Sequence, residues 1–334
     1  MGERRDEFAE AGGRARRALV REIEAEGTLT DAGWRDAFAE VPRHLFVPYY
    51  YVPGTGGYER LWSGDPEPAR RDRWLSGAYA DTAIATRVRD GELLSSASQP
   101  SLMALMLHAL DVREGDDVLE IGAGTGYHAA LLCHRLGAEH VTTVDLDEEI
   151  AESARTHLAA AGYRPTVVAA DGARGCPERA PFDRIVATCA MPSVPYPWLA
   201  QCRPGALVLA PLSTGLLLLR VHDVTHAEGR FLATSAYFVA LRGVAGRIPR
   251  HGPAGDERFR FFWGLVDQAL DRNEALSLWL REGRPERERF GVTVSGERQW
   301  AWLDDPGGPY AWPLLRAGRE AGPGRLPPRP SAGP

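Results

Sequence analysis

Residues 118–130 read VLEIGAGTGYHAA: a short apolar run, a turn punctuated by Gly122, Gly124 and Gly126, and the opening of a helix at Tyr127-His128. Downstream, apolar runs and helical periodicity alternate. They predict a helix over 126–136, a strand over 140–145, a helix over 147–161, strands over 166–170 and 183–188, a helix over 195–201 and a strand over 206–211. Such a βαβ rhythm builds a doubly wound, mostly parallel sheet. The runs LLLLRVHDV (216–224) and RFLATSAYFVAL (230–241), joined by His226-Ala227-Glu228-Gly229, predict an antiparallel hairpin at one edge. The expected fold is α/β, with seven strands.

The glycine turn is where such sheets bind ligands, because bare backbone allows close approach at the carboxyl end of the first strand. A dinucleotide site would space its glycines G-x-G-x-x-G, so that a pyrophosphate rests on the helix N-terminus. Here the spacing is G-x-G-x-G, and Glu120 stands before the turn. A carboxylate there would repel a pyrophosphate, yet could bind the ammonium of a methionine moiety, directly or through water. Asp145 ends the second strand 19 residues after Gly126, where an acid gripping ribose hydroxyls belongs. Asp171-Gly172 ends the third and could reach an adenine amino group. Three acids at three successive strand ends point to S-adenosylmethionine (SAM), with Glu120, Gly122, Ala123, Gly124, Gly126, Tyr127, Asp145, Leu146, Asp171 and Gly172 as expected contacts. His128, a single histidine on the first helical turn, reads as a packing residue.

Composition narrows the remaining choices. The chain has 334 residues, 44% hydrophobic and 25% charged, with a net charge of -6. That charge supplies no broad positive field for nucleic acid. All basic residues are arginines, which excludes Schiff-base chemistry and a phosphate-loop lysine. Cys133, Cys176, Cys189 and Cys202 lack CxxC spacing, so neither a metal site nor a disulfide framework is expected. The first residues lack the apolar core of a signal peptide and no later run is long enough to span a bilayer, so a cytoplasmic protein without membrane contact is expected.

Outside the sheet, Phe8, Ala11, Ala15, Leu19 and Ile23 fall at helical spacing, and Thr30 or Asp31 can cap a second helix. Residues 47–77, rich in Pro, Gly, Tyr and Trp, read as a long loop. An amphipathic helix at about 256–282 and a small hairpin carrying Trp300, Trp302 and Trp312 follow the sheet. These tryptophans are either exposed anchors for a peptide partner or the core of a stabilising flap. The expected units are a helical cap with an insertion loop (1–80), the cofactor domain (81–245), a small α+β extension (246–320) and a disordered tail (321–334).

Upstream of the first strand, Ser95-Ser96-Ala97-Ser98-Gln99-Pro100 ends at a helix-opening proline. Together, VPRHLFVP (41–48), YAD (79–81), SASQP (96–100), VLEIGAGTGYHAA (118–130), DG (171–172), APFDRIVATCA (180–190) and FVALRG (238–243) resemble the protein-L-isoaspartate O-methyltransferase family. The resemblance implies that Ser98 is the active-site serine, that Ser96 takes a threonine position, and that the acceptor is the carboxylate of an isoaspartyl residue in a protein or peptide. Chemistry agrees, because a carboxylate is ionised at neutral pH and needs positioning and hydrogen-bond donors but no general base. Extended relatives in peptide-maturation systems imply an alternative, a normal aspartate of a dedicated precursor peptide. A SAM-binding scaffold without turnover is the third reading.

Overall fold

Strand β5 (Val118–Ile121) is buried along its whole length, Glu120 included, because both faces of the sheet are covered. It lies at the centre of a computed structural model that describes residues 6–55, 57–89, 92–241 and 256–314. Around β5 come α5 (Tyr127–Leu136), β6 (Val141–Asp145), α6 (Glu148–Ala160), β7 (Thr166–Ala169), β8 (Phe182–Ala187), β9 (Cys202–Leu212), β10 (Gly215–Asp223) and β11 (His226–Ser235). Strands β7, β6, β5, β8 and β9 run parallel, and β10 and β11 antiparallel. The residues expected as a helix at 195–201 form a 3-10 turn, Tyr196–Gln201.

The hairpin β10–β11 is not an edge. Helices α7 (Glu257–Val266) and α8 (Arg272–Arg281) lead into β12 (Phe290–Ser295), β13 (Arg298–Leu303) and β14 (Ala311–Pro313), and β12 pairs with β11. Among the described residues the sheet therefore has ten strands, ordered β14-β13-β12-β11-β10-β9-β8-β5-β6-β7, where seven were expected. The β10–β11 turn is Val224-Thr225, stabilised by Asp223 accepting from the Thr225 amide at 2.7 Å. Gly229, expected in that turn, sits inside β11, where a Cβ would come within 1.9 Å of the Leu218 carbonyl oxygen.

The single helix expected at 256–282 is two. Asp271 starts the second with a capping box, accepting from the Asn273 and Glu274 amides while Glu274 accepts from the Asp271 amide. Trp302 and Trp312 are 1% and 6% exposed, and Trp300 is half-buried, which removes them as free peptide anchors. Trp312 belongs to a core instead, and Trp302 is buried with its ring N–H donating to the Thr293 hydroxyl. One apolar cluster runs from Leu119 and Ile121 in β5 through Phe261 and Phe262 in α7 to Phe290 and Trp312, joining the extension to the central sheet.

On the other side, α1 (Ala9–Ala25) and α2 (Ala32–Glu40), the latter capped by Asp31, cover α4 (Pro100–Leu110) and α5 through a second apolar cluster. The expected loop at 47–77 is ordered as hairpin β1 (Tyr49–Gly54) and β2 (Gly57–Trp62) followed by α3 (Pro68–Ala78). Tyr50 donates to the Arg73 and Trp74 carbonyls, and Trp74 donates to the Val47 carbonyl, so the hairpin is fastened to α3. With β3 (Ile84–Arg89) and β4 (Glu92–Ala97) it makes a small sheet ordered β2-β1-β3-β4. The tail expected at 321–334 and the boundary near 245 lie outside the described residues. Among those described, no helix is long and apolar enough to cross a membrane.

Candidate functional site

The chain leaves β5 through Gly122, Gly124 and Gly126 at φ 99°, 53° and 86°, a left-handed path closed to most side chains. A Cβ on Gly122 would lie 2.6 Å from the Thr188 hydroxyl oxygen, which itself donates to the Gly122 carbonyl at 2.6 Å. Asp145, at the end of β6, accepts from the Gly124 amide at 3.2 Å and from the Asp147 amide at 3.1 Å. The two strand ends are thus laced together, and above them opens a cleft of about 790 Å³, mouth included. Bare turn backbone and an acid on the neighbouring strand end suit an adenosyl cofactor.

Most of the expected cofactor residues line this cleft: Glu120, Gly122, Ala123, Gly124, Tyr127, Asp145, Leu146 and Gly172. Gly126 supplies the N-cap position of α5 beneath it. Asp171 stands beside the lining and accepts from the Ala173 amide at 3.0 Å, capping the turn that carries Gly172. The Tyr127 ring packs on Phe38 and Phe46, and burial pushes its hydroxyl pKa well up.

Glu120 departs most from its expected place. It is 0% exposed, and its two oxygens face the Thr143 hydroxyl at 2.5 Å and His128 Nδ1 at 2.7 Å. His128, expected only to pack, therefore shares a buried polar pair under the turn and also lines the cleft. Neither spacing nor periodicity links positions 120 and 128; only the reversal of the chain through the glycines brings them together.

The serine segment forms the opposite wall. Ser95, Ser96 and Ala97 belong to β4, Ser98 follows, and all four line the cleft. The Ser96 carbonyl oxygen lies 3.7 Å from where a Gly124 Cβ would stand, so the serine strand rests on the glycine turn. Asp81 accepts from the Ser101 amide at 2.7 Å and the Gln99 side chain at 3.0 Å, anchoring the start of α4. Arg43, wholly buried, donates to the carbonyls of Ala78, Ala80, Thr82 and Ser98. Burial lowers its pKa, opposed by Tyr127, Asp81, Tyr79 and Tyr50 around it. The motifs VPRHLFVP and YAD marked Arg43 and Asp81 without giving them a task.

One further segment completes the cleft, and an ion pair ties the small sheet down beside it. Val239, Ala240 and Leu241 line it, held by hydrogen bonds between Ala190 and both Val239 and Leu241. Arg87 on β3 pairs with Glu149 and, at 3.9 Å, with Asp147, tying the small sheet to the start of α6.

Comparison with known proteins gives a consistent answer. The family model for Protein-L-isoaspartate(D-aspartate) O-methyltransferase matches residues 69–238. A protein-L-isoaspartate O-methyltransferase of Hyperthermus butylicus is 34% identical over 245 residues, covering 70% of this chain and 90% of that protein. Protein-L-isoaspartate O-methyltransferase 1 of Archaeoglobus fulgidus is 32% identical over 236 residues, covering 70% and 96%. A solved protein-L-isoaspartate O-methyltransferase shares the fold with a TM-score of 0.60 at 21% identity, over 89% of this chain and 98% of that one.

Proposed function

The chain belongs to the protein-L-isoaspartate O-methyltransferase family, and on that premise we propose that its cleft transfers a methyl group from SAM to an isoaspartyl carboxylate held by Ser98 and Ser96. The enzyme is a SAM-dependent methyltransferase acting on protein substrates. The observation that supports the reading is the contact between the serine strand and the glycine turn, which line one cleft together.

When bound, SAM supplies an electrophilic methyl on a sulfonium. The chain's part is placement. Gly122, Ala123, Gly124 and Gly126 would offer backbone, Asp145 and Leu146 would hold the ribose, and Asp171 with Gly172 would hold the adenine. Tyr127 seats the start of α5 in the core. The Ser98 and Ser96 hydroxyls hold one oxygen of the substrate carboxylate so that the other faces the methyl. Because that carboxylate is already ionised, no side chain has to remove a proton. The resulting ester is open to attack by the neighbouring backbone nitrogen, giving a succinimide with loss of methanol.

The test is labelled-methyl transfer to an isoaspartyl peptide and to its normal aspartyl twin. Transfer to the isoaspartyl peptide is expected. Transfer confined to the aspartyl twin would overturn the substrate assignment in favour of a dedicated precursor peptide.

A further inference from the structure

Resting on the reading of the cleft as a SAM site, we propose that His128 accepts a hydrogen bond from the α-ammonium of the cofactor's methionine end, and that Glu120 acts on the cofactor through His128. Glu120 borders the cleft but is almost wholly buried, and both its oxygens are engaged, by Thr143 and by His128 Nδ1. In the tautomer that carries its ring proton on Nδ1, where the carboxylate accepts it, Nε2 on the opposite edge of the ring is a lone pair and an acceptor.

That nitrogen is the unexplained feature. His128 is 5% exposed and lines the cleft, and Nε2 is buried without a hydrogen-bond partner among the described residues. Supporting Glu120 accounts for Nδ1 and leaves Nε2 idle, and a buried acceptor without a partner is costly. A ligand donor in the cleft removes that cost. Thr143 fixes the second Glu120 oxygen and so holds the carboxylate that orients the ring.

Calorimetry on the full chain tests this with three probes: S-adenosylhomocysteine (SAH), its analogue lacking the α-amino group, and its analogue lacking the α-carboxylate. The wild-type chain should bind the deaminated probe about tenfold or more weakly than SAH. In His128→Ala that difference should vanish, while the penalty for losing the carboxylate stays at its wild-type value. His128→Gln, whose amide oxygen can take the place of Nε2, should keep part of the preference for the amine. Because each comparison is a ratio within one variant, general damage to the cleft cancels. An amine preference undiminished in His128→Ala overturns the proposal, as does loss of the carboxylate preference in its place. Absence of SAH binding to the wild-type chain would instead remove the cofactor reading beneath it.

Discussion

Arg43 donates to the carbonyl oxygen of Ser98 at 3.0 Å, across 55 positions of sequence. The same guanidinium reaches Ala78, Ala80 and Thr82, so one buried side chain sets the acceptor loop against the end of α3. Lysine keeps the charge but not the planar fork that serves several acceptors at once. Arg43→Lys should therefore lower kcat by about 10²-fold through misplacement of Ser98. SAH affinity should stay nearly unchanged, because no cofactor contact is lost. Arg43→Ala should cost about 3–5 kcal/mol of stability, seen in denaturant unfolding. A lysine variant with wild-type kcat would show that the loop holds its shape without the clamp.

Ser98→Ala isolates the acceptor hydroxyl. Loss of one preorganised donor should reduce kcat by about 10²–10³-fold. The affinity for SAH, measured by calorimetry, should change little, since Asp145 and the glycine turn are untouched. Equal losses in both would place Ser98 with the cofactor and not the substrate.

The glycine turn tests the other wall. At Gly122 alanine must take φ 99° and place its Cβ 2.6 Å from the Thr188 oxygen, so Gly122→Ala should cost about 1–3 kcal/mol and abolish SAH binding. Gly115 has φ 84° but nothing near its missing Cβ, and Gly115→Ala should show the strain alone with SAH binding intact. Normal SAH binding by Gly122→Ala would mean that the turn is not the cofactor cradle.

The parallel half of the fold was legible because β5 to β9 and their helices carry strong apolar periodicity and a glycine spacing with one structural use. The small sheet was hidden. Its β1–β2 hairpin is held by Tyr50 and Trp74 bonding to backbone far along the chain, and Pro53 and Gly54 in β1 look like loop residues locally. The tryptophans stayed open between exposed anchors and the core of a flap for the same reason: their burial depends on β12 continuing the sheet from β11, a pairing across about 60 to 70 residues. At the site, the cleft residues were readable from their motifs. The Glu120–His128 pair and the Arg43 clamp were not, since both arise from chain reversals that only tertiary structure creates.

Acidification should destabilise the protein in the histidine range. Burial lowers the pKa of His44, opposed by Asp6, and burial likewise lowers His157. A depressed folded-state pKa means that the unfolded chain binds protons first, so this stability is complete above the unfolded value near 6.5 and is lost as pH falls towards the folded value. The melting temperature should drop between about pH 7 and about pH 5, ahead of carboxylate titration. His44→Gln should melt lower at neutral pH and show a shallower slope over that interval. A melting temperature that rises on acidification would contradict this assignment.

The C-terminal extension should behave as part of the enzyme's core. Trp302 is fully buried, donates to the Thr293 hydroxyl at 3.0 Å and lies under the Arg230 guanidinium, while Trp312 packs on Phe262. Trp302→Ala should cost about 3–5 kcal/mol and lower the single unfolding transition of the whole chain, not a separate early one. Removing residues 256–334 should do more. It uncovers β11 as an open edge together with Phe231, against which Phe261 of α7 packs. The truncated chain should aggregate in size-exclusion chromatography even though it retains every motif of the cofactor cleft and the serine wall. A soluble, monodisperse and active truncated enzyme would show that the extension is an accessory flap, and would return the tryptophans to the role of a partner-binding surface.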